Sequence, residues 1–231
     1  MFIIGLTGGI ACGKSTVAAI LKELGAVIID TDRVAREVVV PGRPAYQEIV
    51  AAFGPLVLQP GGQLDRPALA RIIFNDPTAR ELLNAITHPR IQERVQELLA
   101  GLQRTNPEAV VVIEAPLLFE AGMEKMVDAV WAVTAPAPVR LKRLMARDNL
   151  SRQEAESRCR AQGEETARLR RATRVLSTAG DLDATRAAVQ AAWQELQRRL
   201  GGKREPEAKG GAPGCADRGH LDESRAPGGT Q

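Results

Sequence analysis

The stretch MFIIGLTGGIACGKSTVAAILKELGAVIIDTD occupies residues 1–32, and the architecture is laid down there. Residues 1–7 form an apolar, β-branched run of the kind that makes a buried strand. A glycine-rich segment follows, and then Val17, Ile20, Leu21 and Leu24 recur at helical spacing over residues 16–24, with Gly25 placed as a C-cap. Residues 26–30 are a second short apolar run that ends in Asp30-Thr31-Asp32. Strand, loop, helix and strand in this order open an α/β fold built on a parallel sheet.

The loop Gly8-Gly9-Ile10-Ala11-Cys12-Gly13-Lys14-Ser15 matches the Walker A pattern in full. Each residue type has a chemical reason. Glycines let main-chain N–H groups turn inward around phosphate oxygens without a Cβ in the way. The helix that follows directs its N-terminal N–H groups and positive dipole end to the same anion. Lys14 places a charge on the β- and γ-phosphates, and the Ser15 hydroxyl ligates Mg2+. A chance glycine-rich turn would lack the strand before and the amphipathic helix after, and both are present. Cys12 stands near a helix N-terminus and Lys14, a setting that lowers a thiol pKa. The plainer reading, a small residue that fits the loop, is preferred.

A phosphate loop does not name a reaction. The chain has no Asn-Lys-x-Asp guanine motif, against a GTPase, and 231 residues are too few for a motor with accessory domains. A small-molecule kinase is the expectation. Asp30 and Asp32 end the second strand, where parallel α/β sheets form their sites. A carboxylate there can take a proton from an acceptor hydroxyl or cap the next helix. One of the two can cap while the other works; Asp32 is taken as the base, although spacing alone hardly separates them.

The rest of the chain fits this frame. Residues 33–104 read as helices broken at Pro41-Gly42, Pro60-Gly61-Gly62 and His88-Pro89. Residues 109–113 and 128–134 are the third and fourth strands, and 173–177 a fifth at the sheet edge. Residues 139–147 form a basic amphipathic helix, and Ser151-Arg152-Gln153-Glu154 is a capping box that opens another. A last helix spans 182–200, with Leu182, Val189, Trp193, Leu196 and Leu200 along one face. Beyond residue 201 the chain is rich in Gly, Pro and charge, the composition of a disordered tail. There is no internal repeat.

Composition narrows the partners. At 44% hydrophobic and 26% charged residues the chain is an ordinary globular protein. No run approaches the roughly 20 apolar residues of a membrane span, and no signal peptide is evident, so the expected location is the cytoplasm. Cys12, Cys159 and Cys215 are scattered, which suits a reducing compartment. With only His88 and His220 beside them, a structural zinc site is not expected. Arginine is dense over residues 140–174, but an aromatic content of 3% leaves few platforms for stacking bases. Anionic small molecules fit better than nucleic acid.

Taken in order, Gly5-Leu-Thr-Gly-Gly-Ile with the Walker A residues, Asp30-Thr-Asp32, Val39-x-Pro41-Gly42, Phe53-Gly54, Leu64-Asp65-Arg66, His88-Pro89 and Pro116-Leu117-Leu118-Phe119-Glu120 resemble the dephospho-CoA kinase family. The resemblance covers residues 2–200. It implies a P-loop NTPase three-layer α/β fold with a five-stranded parallel sheet, a helical CoA-binding insertion over about 33–105 and a helical lid over about 140–170. It implies ATP-dependent phosphorylation of the ribose 3′-hydroxyl of dephospho-CoA, with Mg2+ as cofactor and a monomer or weak homo-oligomer. By position, Ala11, Cys12, Gly13, Lys14, Ser15 and Thr16 correspond to the ATP-binding loop and Asp32 to the base. Arg140, Arg143 and Arg147 correspond to lid arginines, with Arg140 taken as catalytic beside Lys14. The resemblance places His88 near the acceptor. Leu117, Leu118 and Phe119 either line an apolar wall there or pack in the core, with Leu117 taken as the acceptor contact.

The chain departs from the family pattern in three places. Cys12 replaces a small or hydroxyl residue, and Glu114 stands where Asp is usual. Ala172-Thr173 and Ser177-Thr178-Ala179-Gly180 replace Ala-Asp and an Asn before Gly, at positions thought to border the adenine. Rival readings are another P-loop kinase acting on a nucleoside, a nucleoside monophosphate or another small alcohol, a nucleotide-sensing module without turnover, and an arginine-rich nucleic-acid binder with steep salt dependence.

Overall fold

In the computed structural model, which describes residues 1–160 and 165–202, the first apolar run is the central strand of a parallel sheet. The strands are β1 (Phe2–Gly8), β2 (Val27–Asp30), β3 (Val110–Glu114), β4 (Ala129–Thr134) and β5 (Arg174–Ser177). Their order is β2-β3-β1-β4-β5, every pairing is parallel, and β5 is an edge strand as expected. A strand covered on both faces reads as a continuous apolar run. In β3 the alternation is visible in the packing: Val111 and Ile113 face one layer of helices, Val110 and Val112 the other.

The first layer is α1 (Lys14–Glu23) and α9 (Leu182–Gly202), whose Val17, Ile20, Leu21, Val189 and Trp193 pack on Ile4, Leu6 and Val133. Helix α1 starts at Lys14, two residues before the apolar periodicity, because the phosphate loop turns directly into it. It ends in a Schellman pattern, Gly25 N–H to the Lys22 carbonyl at 3.0 Å and Ala26 N–H to the Leu21 carbonyl at 2.9 Å. Gly25 is therefore the residue after the cap, Leu24. On α9 the expected stripe is shorter than the spacing suggested. Val189, Trp193 and Leu196 are buried, while Leu182, at the first position of the helix, is 55% exposed.

The second layer is the insertion: α2 (Thr31–Glu37), α3 (Pro44–Phe53), α4 (Arg66–Asn75) and α5 (Pro77–Thr105). Val34, Ile49, Leu69 and Val95 meet Ile29, Val111 and Ile113 here. The breaks at Pro41-Gly42 and Pro60-Gly61-Gly62 fall between helices. Asp65 caps α4 by accepting from Ala68 N–H at 3.0 Å, and Asp76 caps α5 by accepting from Thr78 N–H at 2.8 Å. The break expected at His88-Pro89 does not occur, since α5 runs through Pro89 without interruption. A proline inside a helix costs about 3 kcal/mol. Ile91, Val95 and Leu99, all beyond it and all buried, contribute roughly 1.5–3 kcal/mol each, so continuity wins.

Between β4 and β5 lie α6 (Ala137–Asp148), α7 (Arg152–Arg160) and α8 (Glu165–Arg171). The capping box before α7 is formed: Ser151 N–H donates to Glu154 Oε2 at 2.8 Å, and Glu154 N–H to Ser151 Oγ at 3.3 Å. Part of the expected lid, residues 161–164, lies outside the described residues. So do residues 203–231, assigned to the tail, with Cys215 and His220. No helix of the described residues is long and apolar enough to cross a membrane.

Candidate active site

The carboxyl ends of β1, β2, β3 and β4 form one rim, and the chain's chemistry gathers on it. From β1 the backbone turns at Gly8 into the phosphate loop. Gly8 has φ 153, and a Cβ there would stand 2.3 Å from the Val133 carbonyl and 2.8 Å from Cys12 Sγ, so only glycine fits between the loop and β4. Ala11 adopts φ 57, a left-handed conformation that costs a non-glycine residue about 1–2 kcal/mol. The loop thus carries strain of the kind found at ligand clamps. Residues Ala11, Cys12, Gly13, Lys14, Ser15 and Thr16 line a recess of about 560 Å³, closed on the far side by Arg143, Ala146 and Arg147 of α6. Lys14 Nζ donates to the Gly8 carbonyl at 3.2 Å, curling its ammonium back over the loop. Cys12 is fully buried, which fits a packing role in the loop.

Of the arginines expected in a lid, Arg143 and Arg147 line this recess. Arg140 stands about one turn earlier on α6, half-buried, and is not among the residues lining the recess. Arg147 pairs with Asp148 at 2.7 Å in an exposed contact.

The Asp30-Thr31-Asp32 segment divides its two carboxylates. Asp30 is the N-cap of α2, its Oδ1 accepting from Asp32 N–H at 2.8 Å and Arg33 N–H at 3.3 Å. Asp32, in the first turn of α2, is left with a side chain that points into a concave rim. Its pKa lies above the ordinary carboxylate value: partial burial raises it first and the Asp30 charge adds to this, while Lys14 and Arg36 pull it down. Thr31 is anchored underneath, its hydroxyl donating to the Glu114 carbonyl at 2.9 Å.

Asp32 opens on a second recess of about 240 Å³. His88, from the middle of α5, and Leu117, just past β3, line it as well. Three residues far apart in sequence therefore share one concavity. The Pro116–Glu120 motif splits its duties. Leu117 is 42% exposed in the recess, whereas Leu118 is fully buried and packs where a Cβ on Gly5 would lie. Phe119 stacks under the Arg171 guanidinium at 3.9 Å. The pKa of His88 is lowered from 6.5 by partial burial, against the opposing pull of Glu120. A neutral imidazole at pH 7 offers one donor and one acceptor to a ligand.

Two contacts escaped the reading of the sequence, which noted Glu114 only as a departure from the family pattern. The first is that of Glu114 at the end of β3, in register with Asp30 on one side and Leu6 on the other. Its Oε1 accepts from Ser15 Oγ at 3.0 Å. Partial burial raises its pKa first, and Asp30 and Asp32 add to this, against the Ser15 hydrogen bond and Lys14. The signal was available: four apolar residues ending in an acid, the same pattern that marks Asp30. The second is a link between α8 and the segment that follows β3. The buried Arg168 pairs with Glu120 at 3.0 Å, and Arg171 with Glu124 at 2.9 Å. Nothing in the spacing of these residues announces that contact.

A parallel five-stranded sheet with this loop at the end of its central strand, and carboxylates at the ends of β3 and β2 on one side of it, defines a P-loop nucleotide-binding phosphotransferase. The family model described as dephospho-CoA kinase matches residues 2–184. A dephospho-CoA kinase of Moorella thermoacetica is 82% identical over 213 residues, 92% of this chain and 99% of the relative. One of Symbiobacterium thermophilum is 46% identical, covering 84% of this chain and 81% of the relative. Among solved structures, the dephospho-CoA kinase of Campylobacter jejuni superposes with a TM-score of 0.65 at 28% identity, over 86% of this chain and 98% of that one. The protein TT1252 of Thermus thermophilus does so with a TM-score of 0.71 at 40% identity, over 84% and 97%. The chain belongs to the dephospho-CoA kinase family.

Proposed function

We propose that the chain transfers the γ-phosphoryl group of ATP to the ribose 3′-hydroxyl of dephospho-CoA, giving coenzyme A and ADP, the last step of coenzyme A synthesis. The observation that carries this reading is the position of Asp32, which lines the second recess at the sheet edge where the phosphate loop begins and feels the charge of Lys14. The phosphates lie along the loop, bound by its N–H groups, the dipole of α1 and Lys14. Arg143 and Arg147 approach from α6, and Arg140 adds charge to the transferring group when α6–α8 close as a lid. The acceptor enters between α2 and α5, with Leu117 and His88 against it. Asp32 Oδ then accepts the 3′-hydroxyl proton as the oxygen attacks phosphorus. A raised pKa makes it a stronger base than an ordinary aspartate. Burial of both substrates between the loop and α6–α8 excludes water that would otherwise take the phosphoryl group.

The donor set fits Mg2+. Ser15 Oγ and the Glu114 carboxylate are hard oxygen ligands 3.0 Å apart, and Asp30 and Asp32 add negative charge. Among the described residues no group of three or more His, Cys, Asp or Glu side chains is arranged to hold a metal by itself. That is the pattern for an ion taking one or two protein oxygens and the rest from phosphates and water. Bound there, Mg2+ neutralises charge on the β- and γ-phosphate oxygens. Scattered cysteines fit the reducing cytoplasm as the location.

The test is ATP-dependent ADP release with dephospho-CoA as acceptor, with adenosine and AMP in parallel, in the presence and absence of Mg2+. Turnover on dephospho-CoA alone, abolished without Mg2+, is the expected result. Turnover on AMP or adenosine but not on dephospho-CoA would overturn the acceptor assignment.

A further inference from the structure

A buried hydroxyl, on a segment so far linked only with the adenine, touches the phosphate loop. Thr178 follows β5 and is 2% exposed. Its main-chain N–H donates to the Thr134 carbonyl at 2.9 Å, which ties it to the end of β4. Its Oγ1 donates to the Cys12 carbonyl at 2.7 Å and accepts from Arg143 Nη1 at 2.9 Å, while Arg143 Nη2 donates to the Thr178 carbonyl at 2.7 Å. A Cβ on Gly13 would lie 3.2 Å from this hydroxyl. Loop, β5 segment and α6 are thus joined at a single side chain.

The consequence follows from peptide planarity. The Cys12 carbonyl and the Gly13 N–H belong to one trans peptide and point in opposite directions. Holding that carbonyl against Thr178 turns the Gly13 N–H away from Thr178. Gly13 lines the phosphate recess, and Thr178 does not. We infer that Thr178 is a positioning residue of the phosphate loop. Its hydroxyl sets the Cys12–Gly13 peptide so that the Gly13 N–H faces the bound phosphate, and the same oxygen holds Arg143 over the recess. The inference rests on the phosphate-binding reading of the loop and not on the identity of the acceptor. It also differs from a role in gripping the base, the other role open to this segment, because it acts on the triphosphate alone.

The experiment compares the full chain with Thr178→Val, an isostere without the hydroxyl, and Thr178→Ser, which restores it. Dissociation constants are measured for Mg-ATP and for Mg-tripolyphosphate, which has neither base nor ribose, together with the thermal midpoint of each variant. Thr178→Val is expected to weaken both ligands by the same factor, about tenfold for the loss of a buried hydrogen-bond pair. In turnover the KM for ATP rises more than kcat falls. Thr178→Ser binds both ligands within about twofold of the parent, since it keeps the donor. Thr178→Ala takes the place of the valine variant if that protein does not fold. Unchanged binding of both ligands in Thr178→Val overturns the inference. So does a loss for Mg-ATP that spares Mg-tripolyphosphate, which would make Thr178 a base contact. So does a loss that Thr178→Ser fails to reverse. Because no acceptor enters these measurements, failure of dephospho-CoA turnover leaves the inference standing. Failure of the parent protein to bind Mg-tripolyphosphate sinks it together with the phosphate-loop reading.

Discussion

The recesses proposed for the phosphates and for the acceptor lie along one edge of the sheet, yet they are built on different plans. The first is built mainly on one contiguous loop, residues 11–16, which offers main-chain N–H groups and a lysine, with Arg143 and Arg147 of α6 across from it. Its conformation is held by contacts to the backbone: Lys14 on the Gly8 carbonyl, Thr178 on the Cys12 carbonyl, and Gly8 against the Val133 carbonyl. The second recess takes Asp32 from α2, His88 from α5 and Leu117 from the turn after β3, and is lined by side chains from separate elements. The contrast teaches that a site for a common phosphate group can be written in a short local motif. A site for a particular acceptor has to be assembled by the tertiary fold.

The contrast sharpens most at Lys14. Replacing a single charge aimed at developing negative charge costs on the order of a thousandfold in kcat, so Lys14→Ala is expected to lose about that much with every acceptor. Activity within tenfold of the parent would show that main-chain groups alone carry the donor side.

Asp32→Asn probes the second recess. Loss of a general base costs about a hundredfold to ten-thousandfold, and the expected signature is a fall in kcat with both KM values nearly unchanged. The parent's rate should also fall as acid protonates Asp32. Because burial and Asp30 raise its pKa, that decline is centred above the ordinary aspartate value of 3.8. A pH–rate profile whose acid limb persists in the residual activity of Asp32→Asn would assign the limb to another group.

Glu114→Gln tests the donor side again, at smaller cost. Removing a carboxylate that orients a metal-ligating group weakens metal affinity by about ten- to a hundredfold. The expected change is a higher Mg2+ concentration for half-maximal rate, with dephospho-CoA KM unaltered. An unchanged Mg2+ requirement would reduce Glu114 to a partner of Ser15 alone.

The smallest effect is expected at His88. Burial lowers its pKa from 6.5 in the folded chain. Between the two values the unfolded chain binds more protons, so stability rises with pH across that window and falls as pH drops through it. Urea midpoints measured at pH 5 and pH 7.5 should therefore diverge less in His88→Gln than in the parent. An equal divergence would mean that His88 is not part of the acid sensitivity.

The legible parts share one property. The strands, the Walker A loop and the capping box are specified within a few residues, so Ile3, Ile4, Leu6, Gly13, Lys14 and Ser151 declare their roles through spacing alone. Spacing could not divide labour between Asp30 and Asp32, because both stand at the strand end and either can cap. The direction in which the chain enters α2 decides it, placing Asp30 Oδ1 beneath the Asp32 and Arg33 N–H groups. Pro89 misleads for a related reason. The local rule against proline is real, but burial of Ile91, Val95 and Leu99 against the sheet overrides it. Leu118 and Leu117 are neighbours of one residue type, and only the path of the turn after β3 sends one to the core and the other to the recess.

By itself, then, the sequence determined an α/β sheet with a phosphate-binding loop at the end of its first strand, and an ordered motif set that resembles one kinase family. Local hydrogen bonding and apolar periodicity suffice for that much. The tertiary structure alone decided that Asp32, His88 and Leu117 share a recess, that Glu114 reaches Ser15, and that Thr178 holds the Cys12 carbonyl. These are contacts between residues scores of positions apart. They exist because parallel strands bring their carboxyl ends to one edge, a juxtaposition that no window along the chain contains.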